Sequence, residues 1–263
     1  MLNKRQKEIL AYLTRVRSAS NEQIADSIGV SIETVRRNLM KMEGEAPIER
    51  FRGGATYQNL RAQEMEYDER QKTYTEEKEA IARLALDFIE SGEAIAIGNG
   101  TISLALAAQL ALHRNRLKVI TNSPRIGETL NQNPTHEVYL TAGYLRKHNG
   151  SLIGSMCVDF IHQFKVDKAI ISVDGVSIEN GVTEYNVEEA AVLRNLLHIA
   201  RVKMVLCEFT KFKEVGLNKI CNIDGVDDIF TDWNFKYYDL KKWKKHSCSI
   251  HIAIKDVKEP KKR

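Results

Sequence analysis

Two groups of residues in this chain have types and spacing that suit chemistry. The first is Ser31, Glu33, Thr34, Arg36, Arg37, Asn38 and Lys41, a polar and basic set inside one short segment. The second is spread out: Gly98-Asn99-Gly100-Thr101, Thr121-Asn122-Ser123, Asp174-Gly175 and Lys211. Guanidinium, amide and hydroxyl groups on one side of a helix can meet phosphates and base edges in a DNA major groove. Glycine amides with short hydroxyls, a carboxylate and an ammonium group suit an anionic, hydroxylated small molecule.

The elements that must position the first set are legible around it. Ala25 is small enough for two helices to cross closely, and Gly29 takes a left-handed turn at little cost. Ile24, Ile28, Val30, Val35, Leu39 and Met42 supply an apolar seam. The pattern predicts helices over 5–14, 22–28 and 32–42, with Ser31 as N-cap of the last. Pro47 ends helical character. A strand over 48–51 leads to Arg52-Gly53-Gly54-Ala55, so Arg50 and Arg52 flank a wing that reaches phosphates or the minor groove. Each contact residue also has a plainer reading. The arginine pair suits a solvated face, Asn38 suits a base or solvent, and Glu33 suits a cytosine amino group or the helix N-terminus.

The second set falls where apolar strands end. Strands are predicted over 94–97, 118–121, 138–141, 168–173, 204–207 and 229–231, with a last one over 249–254. Helices are predicted over 102–112, 125–131 and 187–200, after an apolar stripe of Ile81, Leu84, Ala85, Phe88 and Ile89 whose N-terminus Thr73 and Glu76 would box. That alternation argues for a largely parallel α/β sheet, and open sheets of this kind bind ligands at the carboxyl ends of their strands. Gly98-Asn99-Gly100-Thr101 reads equally as a phosphate cradle or a plain turn. Thr121-Asn122-Ser123 reads as a polar rim or as simple N-capping. Asp174 could accept from sugar hydroxyls, and Lys211 could neutralise a phosphate. Four such loops on one side of a sheet favour a single ligand.

Composition sets bounds. The chain has 263 residues, 43% of them apolar, and a formal net charge of +4. That length allows one small and one medium domain with a real core. Residues 1–54 hold ten basic and seven acidic side chains, a local net of +3. The four cysteines form no C-x-x-C pair, and no histidine cluster has metal-ligand spacing, so idle thiols in a reducing compartment are expected and no cofactor or metal. The charged N-terminus lacks an apolar leader core and no apolar run reaches membrane-spanning length. A cytoplasmic protein without membrane contact is expected. The division expected is a winged helix-turn-helix unit over 1–56, a polar linker over 57–74, an α/β unit over 75–255 and a basic tail over 256–263.

At this point the chain closely resembles the DeoR family of bacterial transcriptional regulators. In the amino-terminal unit the likeness rests on Arg5-Gln6, Ile24-Ala25, Val30-Ser31, Thr34-Val35-Arg36-Arg37 with Leu39, and Arg50 with Arg52-Gly53-Gly54-Ala55. In the larger unit it rests on Lys78, Gly100-Thr101, Thr121-Asn122-Ser123, Gly154, Asp174-Gly175, Gly181 and Thr183, Glu189-Ala190, Thr210-Lys211-Phe212 and Thr231-Asp232. The resemblance implies a winged helix-turn-helix joined to a sensor similar to ribose-5-phosphate isomerase, which binds a phosphorylated sugar or sugar derivative. Departures occur at Asn38, where the family usually has an acid, at Asn99, at Leu193, and at Glu208-Phe209-Thr210-Lys211, which stands for D-x-S-K.

The isomerase likeness brings a sugar-phosphate isomerase-like enzyme into view as the alternative. Isomerases of that type carry D-G-A-D-E; here the run is Asp174-Gly175-Val176-Ser177-Ile178, without the second carboxylate. Their Glu-Lys pair falls loosely at Val192-Leu193. Binding without turnover is therefore expected, with no catalytic residue. The expected partners are double-stranded operator DNA, a phosphorylated sugar effector and further copies of the chain, as a dimer or tetramer. Two copies would lay their 32–42 helices in successive major grooves.

Overall fold

The structure is a computed structural model that describes residues 2–16, 18–43, 46, 48–51, 53–57, 67–113, 116–212, 214–237 and 240–255. Pro47, Arg52, residues 58–66 of the expected linker and the basic tail lie outside the described residues. The chain divides into two compact units, Met1–Gln63 and Glu64–Arg263.

The first unit runs α1 (Lys4–Val16), β1 (Ser18–Ser20), α2 (Asn21–Ile28), α3 (Ile32–Met42), β2 (Ile48–Phe51) and β3 (Gly54–Tyr57). Its strands pair antiparallel in the order β1-β3-β2. Ser20 begins α2 with a reciprocal capping box to Gln23. Gly29 ends it at φ +67, where its missing Cβ avoids a clash with its own backbone. Ala25 is buried between α2 and α3 as the spacing required. Ile9, Leu13, Ile24, Val35, Leu39 and Met42 close the core. Strands β1 and β3 were not expected: three or four small and polar residues carry no period-two signal.

The second unit opens with α4 (Tyr67–Lys72) and α5 (Thr75–Leu86). The expected capping box of Thr73 with Glu76 does not form. Tyr74 is the N-cap, in the left-handed region at φ +52, and Thr73 Oγ1 donates instead to the Arg70 carbonyl, 3.1 Å. Then follow β4 (Ala94–Ile97), α6 (Thr101–Leu110), β5 (Lys118–Thr121), α7 (Pro124–Leu130), β6 (Glu137–Leu140), the hairpin β7 (Tyr144–Leu145) and β8 (Leu152–Ile153), and α8 (Ser155–Ile161). The chain continues with β9 (Val166–Ser172), β10 (Gly175–Ser177), β11 (Gly181–Glu184), α9 (Val187–His198), β12 (Ala200–Leu206), β13 (Asn218–Cys221), β14 (Asp228–Thr231), α10 (Leu240–Trp243) and β15 (Ser249–Ile252).

Seven strands form one parallel sheet in the order β15-β14-β12-β9-β4-β5-β6. Side chains alternate across it. Ile95, Ile97, Ile170, Met204 and Leu206 enter one apolar layer, and Ala96, Ala169, Ile171 and Val205 enter the other. Burial on both faces explains the continuous apolar runs. From β4 the chain winds outward through β5 and β6, then returns to the other side of β4 as β9. The order therefore reverses between β4 and β9, and a crevice opens at the carboxyl ends of strands at such a point. A smaller antiparallel sheet, β10-β11-β13, sits after β9 in the chain.

Candidate functional site

In the first unit, Ser31 caps α3, its Oγ accepting from Thr34 N at 3.2 Å. Glu33, Arg36, Arg37 and Lys41 are exposed, and Thr34 is half-buried. Val35, Leu39 and Met42 face the core, so the arginine pair points away from it. Arg50 pairs with Glu43 at 2.9 Å. One expectation fails. Asn38 is buried, and its Nδ2 donates to the Thr34 carbonyl at 2.8 Å. It occupies the same stripe as Val35, Leu39 and Met42, at three- and four-residue spacing, and cannot face a duplex from there. Arg52 lies outside the described residues.

In the second unit, a cavity opens where the strand order reverses. It is lined from four directions. Asn99, Gly100, Thr101 and Ile102 come from the β4–α6 turn, and Ser172, Val173 and Asp174 from the end of β9. Glu208 and Lys211 follow β12, and Glu184, Glu189 and Asn149 close the far side with Arg70 of α4. Gly100 is needed because a Cβ there would meet Ser172 Cβ at 2.4 Å. Ser172 Oγ accepts from Ser103 N at 3.2 Å, fixing the first turn of α6 against β9. Asn99 N donates to Asn122 Oδ1 at 2.9 Å, while Asn99 Oδ1 is buried with no hydrogen-bond partner. An orphan acceptor in a cavity suits a ligand bearing hydroxyl donors.

Charge is concentrated here. Arg70 Nη1 donates to Asp174 Oδ1 at 3.2 Å, and Lys211 Nζ lies 3.8 Å from the same oxygen. Burial alone would raise the Asp174 carboxyl; Arg70 and Lys211 outweigh it and hold it at about 2. Lys211 is itself kept charged. Burial opposes this, but Glu214, Asp174 and Glu208 raise its pKa above the usual lysine value. Glu184 goes the other way, pushed well above 4.5 by burial and by the Asp174 charge, so it holds its proton more tightly than an exposed carboxyl does. Glu189 accepts from Asn149 Nδ2 and Ser151 Oγ, each at 2.5 Å, with Arg146 3.7 Å away. Asp232 anchors the loop before Lys211 by accepting from Phe209 N at 2.8 Å, and burial lifts its carboxyl to about 6.

The Glu184 arrangement makes stability depend on pH. Unfolded, this carboxyl ionises near 4.5; folded, it holds its proton to higher pH. Stability therefore falls as pH rises above 4.5, by up to about 1.4 kcal/mol per unit until the folded group ionises. Glu184→Gln keeps an acceptor for Tyr185 N and a donor toward Asp174 without the titration. The variant should melt above the parent at pH 8 and level with it at pH 4. Equal melting temperatures at pH 8 would show that Glu184 is ionised in the fold.

The structure brings together some of the expected ligand residues and separates others. Asn99, Gly100, Thr101, Asp174 and Lys211 line the cavity; Gly98 and Gly175 stand next to it in sequence and do not. Gly98 serves packing, since a Cβ would meet Leu193 Cδ2 at 2.7 Å. Thr121, Asn122 and Ser123 do not line it either. Thr121 Oγ1 accepts from Ser123 N, Ser123 Oγ caps α7, and Asn122 ties the Asn99 turn to the Leu152 carbonyl. They shape the walls. Ser177 stands where the isomerase motif has its second aspartate, yet other carboxyls reach the cavity. Val192 and Leu193 face the apolar core, but the first turn of α9 delivers Glu189 and β11 delivers Glu184. Arg70, Asn149 and Glu184 went unread, and Glu189 and Glu208 were quoted only as parts of family motifs; Glu208 apart, none directly follows a strand of the parallel sheet.

Among the described residues, no helix is long and apolar enough to cross a membrane, and no cluster of metal-ligating side chains occurs. Residues 5–60 match the DeoR-like helix-turn-helix domain, and residues 73–233 match the DeoR C terminal sensor domain. The chain is 31% identical over 230 residues to the HTH-type transcriptional repressor CsqR of Escherichia coli, covering 88% of this chain and 87% of that one. It is 31% identical to the glycerol-3-phosphate regulon repressor of Escherichia coli, covering 81% and 84% of the two chains. Among solved structures, ribose 5 phosphate isomerase A from Neisseria gonorrhoeae aligns at a TM-score of 0.40 and 14% identity, over 51% of this chain and 52% of that one. With an outward-facing basic helix in one unit and an ion-paired cavity at the switch point of the other, the chain belongs to the DeoR family, a DNA-binding helix-turn-helix domain joined to a sensor domain.

Proposed function

We propose that this protein is a sequence-specific transcriptional repressor of a carbohydrate-utilisation operon, gated by a phosphorylated sugar or sugar derivative and acting as a homo-oligomer. The cavity carries this reading. Arg70 and Lys211 supply positive charge beside the first residues of α6, while Asn99 Oδ1 and Asp174 offer acceptors to hydroxyls. A molecule with a phosphate at one end and hydroxyls at the other matches that division. The reading head is α3, with Arg36 and Arg37 outward and Arg50 beside the wing. An effector gates DNA binding only through unequal affinity for the competent and incompetent states.

The test is a gel shift with DNA from upstream of the chain's own gene, at low and moderate salt, titrated with sugar phosphates. A shift that one sugar phosphate releases is the expected result. No retardation of any such duplex at low ionic strength would end the proposal.

The enzyme alternative gains one observation, since Glu184 and Glu189 both reach the cavity. Two carboxyls in one cavity can serve general acid–base chemistry. The relatives named as repressors favour binding without turnover. Incubation of the pure protein with ribose 5-phosphate should leave it unchanged, and the appearance of a ketose phosphate would reverse the assignment.

A further inference from the structure

The cavity contains a side chain that arrives from an unexpected element. Arg70 sits on α4, the first described element that follows residues 58–66 and hence the amino-terminal unit. Its guanidinium reaches Asp174, and its carbonyl accepts from Thr73 Oγ1 and from the ammonium group of Lys78, which is buried. Tyr67, one turn earlier, is buried with Arg125 over its ring at 4.4 Å and Arg70 at 5.8 Å. Helix α4 has only six residues, too few to persist without docking. Tyr74 follows it in the left-handed region, unusual for a side chain of that size. The Tyr74 ring meets Phe209 edge-on at 5.9 Å, in the loop that carries Lys211.

The space these groups leave is small. The cavity holds about 30 Å³, room for about one water molecule. Small-molecule sites usually enclose about 300–1,000 Å³. A sugar phosphate therefore needs lining side chains to move, and the Arg70–Asp174 pair is part of that lining. Opening it lets the planar, bidentate guanidinium of Arg70 turn to an anion and the Asp174 carboxylate turn to hydroxyls.

Resting on the effector reading above, we propose that Arg70 is a ligand-binding residue whose guanidinium exchanges Asp174 for the anionic group of the effector. The exchange makes α4 part of the binding site. The ligand then grips a short helix that follows the DNA-reading unit in the chain and precedes the left-handed residue Tyr74. Phosphate and carboxylate share the chemistry that Arg70 recognises.

The experiment uses the full chain. Ribose 5-phosphate, glucose 6-phosphate, glycerol 3-phosphate, the corresponding sugar acids, the unphosphorylated sugars and inorganic phosphate are titrated by calorimetry. Hydrogen exchange of residues 67–74 is followed with the tightest of them. The parent should bind a phosphorylated or carboxylated polyol and change exchange in 67–74 on binding. Arg70→Gln should weaken that ligand at least tenfold and abolish the exchange change. Arg70→Lys, which keeps the charge and loses the fork, should fall between. Unchanged affinity in Arg70→Gln, with the parent binding normally, would overturn the role of Arg70 and leave the effector reading intact. If Arg70→Gln misfolds, the parent and Arg70→Lys decide. An exchange pattern in 67–74 that ligand does not alter, or full affinity in Arg70→Lys and no response in α4, overturns the proposal. A parent that binds none of these anions ends both the effector reading and this inference.

Discussion

A chain carrying Lys211→Met should still bind its operator and should lose its response to a sugar phosphate. Lys211 is a buried cation beside Asp174 and Glu214, in a loop pinned by Asp232. Methionine keeps the apolar stem and removes the ammonium group. Hydrogen bonds to charged groups contribute about 1.5–3 kcal/mol, so effector affinity should drop about tenfold to a hundredfold. Arg70 still faces Asp174 in the variant, so the unit should fold with a lower melting temperature. Lys211→Ala should behave likewise and melt lower still, having lost the stem. The decisive readout is a gel shift with and without effector. Wild-type release of DNA by both variants would remove Lys211 from the anion site.

Arg37→Ala should weaken operator binding by about 1–3 kcal/mol if its guanidinium reads a base. The side chain is exposed on α3, and Val35, Leu39 and Met42 anchor the opposite face, so truncation leaves the core intact. Melting temperature should stay within a degree of the parent. Salt dependence separates two roles. A base contact relaxes preference at one position of the operator, whereas a phosphate contact weakens all sequences alike and lowers the salt slope by about one. Unchanged affinity for operator and for random duplex would place Arg37 outside the interface.

How much of this was legible depends on where each residue sits. Strands β4 and β5 are bounded as their apolar runs indicated, because both faces of a parallel sheet are buried. Strand β12 starts at Ala200 rather than Met204, since Arg201 and Lys203 interrupt the apolar signal near the sheet's end. Strands β10 and β11 are short and carried none. In the site, Asp174 and Lys211 were visible because they follow strands. Arg70 was hidden in a polar run that read as linker, and Glu189, quoted with Ala190, sits in the first turn of a helix whose apolar pattern says nothing of a cavity. Asn38 is different. Its burial was available from the heptad-like spacing of Val35, Leu39 and Met42, and a polar side chain on that stripe satisfies itself against the Thr34 carbonyl.

The ten buried apolar side chains that close the first unit all come from positions 9 to 55. Among the described residues, the side chains that join that cluster all come from positions 2 to 57. The first core and the cavity thus draw on separate stretches of sequence, so a substitution within one leaves every lining residue of the other unchanged.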